Sequence, residues 1–193
     1  MRNGFARRNL LKALPLTAAG LALAAERSSA QDQLGGSSSG TLVAYYSRTG
    51  NTAVIARQIR RARDAALFEI HTAVPYPEDY EETVAQARRE TRSGYLPALG
   101  QFVANIGQYE TIYLGLPIWG MTAPPVIRSF LAAHDLSAKT VVPFITHGGY
   151  GLGDSVEVLR RLAPNSDLRP AFSMEADQER RTLEQVSGWL TSF

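Results

Sequence analysis

The 193-residue chain is 45% apolar and 20% charged, the composition of a single soluble globular domain. It contains no cysteine, which excludes disulfides, thiolate metal sites, a lipid-modified cysteine anchor and a thiolate nucleophile. The formal charge of +2 arises at the N-terminus: the first 30 residues hold five Lys/Arg and one acidic side chain, and the rest hold 15 basic against 17 acidic, a net charge of −2 that favours neither a nucleic acid partner nor a strongly acidic docking face.

Arg7-Arg8-Asn9-Leu10-Leu11-Lys12 fits a twin-arginine pattern, Arg-Arg-x-apolar-Leu-Lys. The small-residue run from Ala13 to Ala25 is shorter than the ~20 residues a membrane span needs. Ser28-Ser29-Ala30 supplies small residues for cleavage. Residues 1–30 are therefore expected to be an export signal, handed to the twin-arginine translocase and removed without leaving a membrane span. The destination is the periplasm or another extracytoplasmic space. That route resembles one that carries folded cargo with its cofactor already inserted. Gln31 to Gly40, rich in Gly and Ser, is expected to be a flexible linker, and 41–193 the folded domain.

Within the domain, strands and helices alternate. Thr41 to Ala44 is an apolar strand, and Thr52 to Arg63 a helix with Ile55, Ala56, Ile59 and Ala62 on one stripe. The four arginines of that helix lie mostly off the stripe, as on a solvated face. Ala66 to His71 reads as the second strand, and Val74-Pro75-Tyr76-Pro77 as a rigid extended connection. Asp79 to Thr91 is a helix, acidic at its start and basic at its end, in accord with the helix dipole. Tyr109 to Gly115 is the third strand. A helix starting at Pro124-Pro125 buries Val126, Ile127, Phe130 and Leu131. Thr140 to Thr146, unbroken in hydrophobicity, is a central strand. A helix with Val156, Leu159 and Leu162 inward stops before Pro164. Leu168 to Phe172 is the fifth strand, and Ala176 to Leu190 the last helix, with Leu183, Val186 and Leu190 inward. Five strands alternating with five helices imply an α/β three-layer sandwich: a parallel sheet with helices on both faces, joined by right-handed crossovers.

Three loops stand out, and all follow strands. Ser47-Arg48-Thr49-Gly50-Asn51-Thr52 is a tight turn into a helix N-terminus. Backbone N–H groups and hydroxyls there suit a phosphate monoester held without metal. An ordinary well-capped turn would use the same residues. The stretch carries neither the lysine of a nucleotide-triphosphatase loop nor the three glycines of a dinucleotide loop. Pro117-Ile118-Trp119-Gly120 offers an exposed flat apolar wall, although a tryptophan there also suits a core. His147-Gly148-Gly149-Tyr150-Gly151 is a second glycine-rich turn, where backbone approaches a ligand closely. If the strand order is 2-1-3-4-5, the three loops converge on one crevice at the carboxyl ends of the strands.

On these residues the chain from Thr41 onward resembles the short-chain flavodoxins. Tyr46 to Thr52 resembles the family's phosphate loop for flavin mononucleotide (FMN). Leu116 to Gly120 resembles its first flavin-ring loop, and Thr146 to Gly151 its second, chiefly in the glycines. Tyr76-Pro77-Glu78-Asp79-Tyr80, Glu90 and Leu96-Pro97-Ala98-Leu99 resemble a bacterial flavodoxin-like subfamily. The resemblance implies FMN as cofactor. Its phosphate would lie on Ser47, Arg48, Thr49, Gly50, Asn51 and Thr52. Its ring would lie between Pro117, Ile118, Trp119, Gly120 and His147, Gly148, Gly149, Tyr150, Gly151. By the family pattern, the Gly120 carbonyl would accept the hydrogen on flavin N5 in the one-electron-reduced state. His147 is either a locally satisfied loop histidine or a cation beside flavin N1.

The expected function is electron transfer by an exported FMN protein with a redox partner protein or a small-molecule acceptor. The near-neutral domain departs from the strongly acidic surface usual in carriers of this type. An FMN-dependent NAD(P)H or quinone reductase is the alternative, though no separate nicotinamide motif is present; a non-redox flavin-binding module is a third. No metal site and no catalytic side chain are assigned.

Overall fold

The computed structural model describes residues 40–175 and 179–192. The expected signal at 1–30, residues 31–39 of the expected linker and the expected start of the last helix at Ala176 lie outside them. In chain order the elements are β1 (Thr41–Tyr45), α1 (Asn51–Arg63), β2 (Ala66–Glu69), α2 (Tyr80–Ser93), a 3₁₀ turn (Ile106–Gln108), β3 (Thr111–Pro117), α3 (Pro125–Ala133), β4 (Thr140–His147), α4 (Ser155–Leu162), β5 (Asp167–Leu168), β6 (Phe172–Glu175) and α5 (Glu179–Leu190).

The sheet order is β2-β1-β3-β4-β5, with β6 also on β4, and every pairing is parallel. That is the expected 2-1-3-4-5 order of the α/β sandwich. Alternation along β1 shows how one strand feeds two cores. Leu42, Ala44 and Tyr46 enter a core shared with Val126, Ile127 and Phe130 of α3 and Val158 and Leu159 of α4. Val43 and Tyr45 enter a second core with Ile55, Ala56 and Ile59 of α1 and Val186 and Leu190 of α5. Among the described residues, no α2 side chain belongs to either cluster.

The expected fifth strand is two short ones. Val141 of β4 and Lys139 just before it present carbonyls to this edge, where Arg169 and Asp167 N–H donate at 2.9 Å each. By the same alternation Pro143 faces this edge, and it has no N–H to offer. The neighbouring chain departs from the ladder between Leu168 and Phe172, where Pro170 also lacks a donor. Pairing resumes at Phe144–Phe172.

Two helix faces also differ from expectation. Ala62 is exposed because it falls in the last turn of α1, just before Asp64 reverses the chain with φ +47; Thr52 and Ala53 are buried instead. In the two-turn α4, Val158 and Leu159 are buried, while Val156 and Leu162 pack half-exposed at the core's margin. Val186 and Leu190 of α5 are buried as expected; the Leu183 side chain is outside the described set.

His134 closes the end of α3. Its Nε2 accepts from Val103 N–H at 3.1 Å, and its Nδ1–H donates to the Phe130 carbonyl at 2.8 Å. Both bonds use the neutral ring, and burial pushes its pKa below the ordinary 6.5. The unfolded chain therefore takes up this proton at higher pH than the fold does. The stabilisation is complete above the ordinary value and is lost as pH falls through it and through the folded value. Thermal melts should show stability declining from pH 7.5 to pH 5, with a shallower decline in His134→Gln. An unchanged slope in that variant would remove His134 as the cause.

Candidate functional site

Register places Tyr45 beside Gly115 and Pro117 beside Thr146, so the carboxyl ends of β1, β3 and β4 share one edge. The three unusual loops leave from it. In the first, Gly50 N–H donates to Ser47 Oγ at 3.1 Å, and Asn51 Nδ2 to Thr49 Oγ1 at 3.3 Å. α1 then begins with Gly50 as N-cap at φ +93, a conformation natural to glycine. No side chain caps this helix, and no acid lies in its first turn. α2 is the opposite case: Asp79 Oδ1 accepts from Glu82 N–H at 2.9 Å, with Glu81 and Glu82 in its first turn. The positive end of α1 thus has neither a side-chain cap nor an early acid beside it. Thr52, buried, pairs its hydroxyl with that of Thr146 at 2.9 Å and ties the start of α1 to the end of β4.

The second loop is a tight turn. Trp119 and Thr122 exchange backbone bonds at 3.0 and 3.3 Å, and Gly120 and Met121 between them have φ +58 and +66. Two successive left-handed residues are the mark of a type I′ turn. Arg128 of α3 braces it, donating to Thr122 Oγ1 at 2.8 Å and to the Ala123 carbonyl at 3.2 Å. Trp119 stands half-buried, with the rings of Tyr46 and Tyr76 edge-on at 5.4 and 4.9 Å. Tyr76 Oη donates to Glu90 Oε2 at 2.7 Å, and Gln86 Nε2 to Glu90 Oε1 at 2.8 Å. Burial raises the pKa of both tyrosines, and the bond to Glu90 raises Tyr76 further, so both remain neutral phenols. Trp119 is thus fixed by packing and remains open on one side.

In the third loop, His147 Nδ1 accepts from Gly149 N–H at 3.2 Å, which leaves the ring proton on Nε2. The second and third loops are locked together. Asp154 N–H donates to the Met121 carbonyl at 3.0 Å, and a Cβ at Gly153, whose φ is +55, would fall 1.8 Å from the same oxygen.

These loops surround a cavity of about 610 Å³. Of the residues expected at the site, Arg48, Thr49, Asn51, Thr52, Pro117, Ile118, Trp119, Gly120, His147 and Gly148 line it. Ser47 lines a second cavity of about 540 Å³ on the other side of Arg48 and Thr49. Gly50, Gly149, Tyr150 and Gly151 line neither, and the Tyr150 side chain is 81% exposed. The facing wall is α2, through Tyr80, Thr83, Val84, Ala87, Arg88, Thr91 and Arg92, with Met121, Thr122 and Thr146 completing the lining. Their 80/83/84/87/88/91/92 spacing is one helix face. It was legible as a face, but its mixed polarity resembles ordinary solvated surface. The lining contains three arginines and no Asp or Glu. Arg48 is positioned by the chain entering α2, donating to the Glu78 carbonyl at 2.6 Å and lying 5.7 Å over the ring of Tyr80, the first residue of that helix. Among the described residues, no group of three His, Asp or Glu side chains could hold a metal ion, and no helix is long and apolar enough to cross a membrane.

A family model described as flavodoxin matches residues 40–192. The chain is similar to a provisionally described flavoprotein from Bacteroides eggerthii, with 33% identity, TM-score 0.68, and 79% of this chain and 96% of the other covered. A second such protein, from Bacteroides uniformis, gives 31% identity, TM-score 0.69 and coverage of 78% and 97%. The fold is also that of a Lactobacillus acidophilus flavoprotein solved in complex with FMN, at 22% identity, TM-score 0.62 and coverage of 75% and 97%. No curated protein matches the chain.

The lock between the loops has a measurable consequence. Gly153→Ala forces a Cβ into the Met121 carbonyl in a backbone conformation alanine resists, and should cost roughly 1–3 kcal/mol. The melting temperature should drop and the near-ultraviolet circular dichroism of the Trp119 environment should change. A variant matching the parent in both would show that the contact is not a constraint.

Proposed function

Because the chain belongs to the flavodoxin family over residues 40–192, we propose that it binds FMN at the three-loop edge and serves electron transfer. One observation carries the reading. The uncapped N-terminus of α1 opens into a cavity that has an aromatic wall and no carboxylate in its lining. The residues fit the cofactor's chemistry: donors without competing anions at one end, and Trp119 as a flat apolar surface nearby.

FMN, when bound, supplies one- and two-electron redox chemistry. The protein's part is placement. The first turn of α1 would hold the phosphate, with the Thr49 hydroxyl and the Asn51 amide as further donors, while the Thr52 hydroxyl is engaged by Thr146. Tyr46 and Tyr76 hold Trp119 upright, so the wall needs little reordering when a ring meets it. Gly148 adds a stretch of loop without a side chain at the cavity's edge.

A second reading, an FMN-dependent reductase of small molecules, is favoured by the α2 wall. The cavity continues along that helix and leaves room beside the ring loops. The twin-arginine segment supports export of the folded domain, with the cofactor loaded in the cytoplasm.

Thr49→Val should weaken FMN about tenfold in a flavin-fluorescence titration, the loss of one charge-assisted hydrogen bond. An unchanged affinity would remove the hydroxyl from the phosphate site. Changing Arg7 and Arg8 together to lysine should leave the uncleaved chain in the cytoplasm on cell fractionation. Normal appearance of the cleaved domain outside would refute the twin-arginine reading.

A further inference from the structure

The charge on the cavity wall exceeds what one phosphate requires. Arg48 lies over the Tyr80 ring at the start of α2, beside the phosphate loop. Arg88 and Arg92 lie farther along the same face. A helix advances about 12 Å from Tyr80 to Arg88 and about 18 Å to Arg92. The arginines of this wall are therefore attached at points spread along it rather than gathered at the phosphate loop.

Arg88 and Arg92 stand four residues apart on one helix face, a spacing at which like charges repel. Neither is in an ion pair among the described residues. Glu90, the nearby acid on α2, is buried and engaged by Tyr76 and Gln86. Favourable interaction with the helix dipole would account for a basic last turn, but not for two arginines lining a cavity that no carboxylate lines. Thr91 lies between them, and Val84 and Ala87 give the adjoining wall an apolar surface.

Resting on the flavin reading, we propose that the α2 end of the cavity is a substrate subsite. Its ligand is a small redox-active aromatic molecule carrying an anionic group, a carboxylate, sulfonate or phosphate. The anion pairs with Arg88 and Arg92, and the aromatic body lies against Val84 and Ala87 on the side of the cavity shared with Trp119. This assigns the domain a small-molecule partner and gives α2, which neither core holds, a role as the substrate wall.

The test is calorimetric titration of FMN-loaded protein and of the double variant Arg88→Gln with Arg92→Gln. The probes are a naphthoquinone sulfonate, its neutral methyl counterpart and NADPH. Two partly exposed ion contacts should make the sulfonate about tenfold tighter than the neutral quinone, and more so at low salt. The double variant should lose that preference and keep its FMN affinity within about twofold. NADPH binding that depends on the arginines would identify a phosphate-bearing donor; dependence for the sulfonate alone would identify an anionic quinone-like acceptor. Equal affinity for the two quinones with no arginine-dependent NADPH binding would overturn the proposal. So would a preference that survives in the variant. If the variant loses FMN, the arginines belong to the flavin's own phosphate: the subsite falls while the flavin reading stands. If the parent takes up no FMN, the flavin reading falls, and the same titrations on the protein as purified decide whether the arginines select an anion.

Discussion

In a parallel sheet every strand delivers its following loop to the same edge, and the features of this site depend on that constraint. β1, β3 and β4 are consecutive and in register, so the turn before α1, the Trp119 turn and the His147 turn each start one strand spacing from the next. Short contacts then fix them. The Thr52–Thr146 hydroxyl pair joins the first loop to the end of β4, and the Met121 carbonyl joins the second loop to the third. No long side chain has to reach across the sheet to assemble the site.

The helix that follows β1 carries the electrostatic part of the proposed site. A helix N-terminus carries partial positive charge, and proteins commonly satisfy it with a cap or an early acid. α2 uses both devices, while α1 uses neither and begins at a glycine. α3 also lacks both, but it begins at Pro124-Pro125, which have no N–H to offer, so α1 is the uncapped start whose N–H groups adjoin the cavity. The aromatic side is organised the same way. Trp119 is held by two tyrosines, one of which is anchored by the buried Glu90. Part of the polar interior thus serves to keep one apolar surface upright.

Much of this was legible in the chain. Alternating apolar runs of two periodicities identified the layers, and the loops were marked by glycine, proline and hydroxyl residues at strand ends. Three things were not. The break in the last strand depends on which edge Pro143 faces, and that follows from pairing rather than from local pattern. The bond between Tyr76 and Glu90 joins residues on different elements, so the two residues alone showed a family likeness without its reason. The α2 wall was hidden because a cavity-facing stripe of Thr, Val, Ala and Arg has the composition of an ordinary surface. The cavity beside it, rather than any local pattern, shows that this face overlooks space, with Thr83 and Ala87 buried beneath its exposed arginines. Conversely, Gly149, Tyr150 and Gly151 carried the resemblance in sequence yet lie off the cavity, while Gly153, four residues past Gly149, makes the closest approach to the neighbouring loop.

The most direct measurement is a comparison of FMN and riboflavin binding to the purified domain, each followed by quenching of flavin fluorescence. Riboflavin has the same ring and lacks the phosphate, so the difference reports on the α1 end alone. The account predicts one FMN per chain and riboflavin at least about a hundredfold weaker, the worth of roughly two charge-assisted contacts. Absence of FMN uptake, or equal affinity for the two flavins, would contradict it.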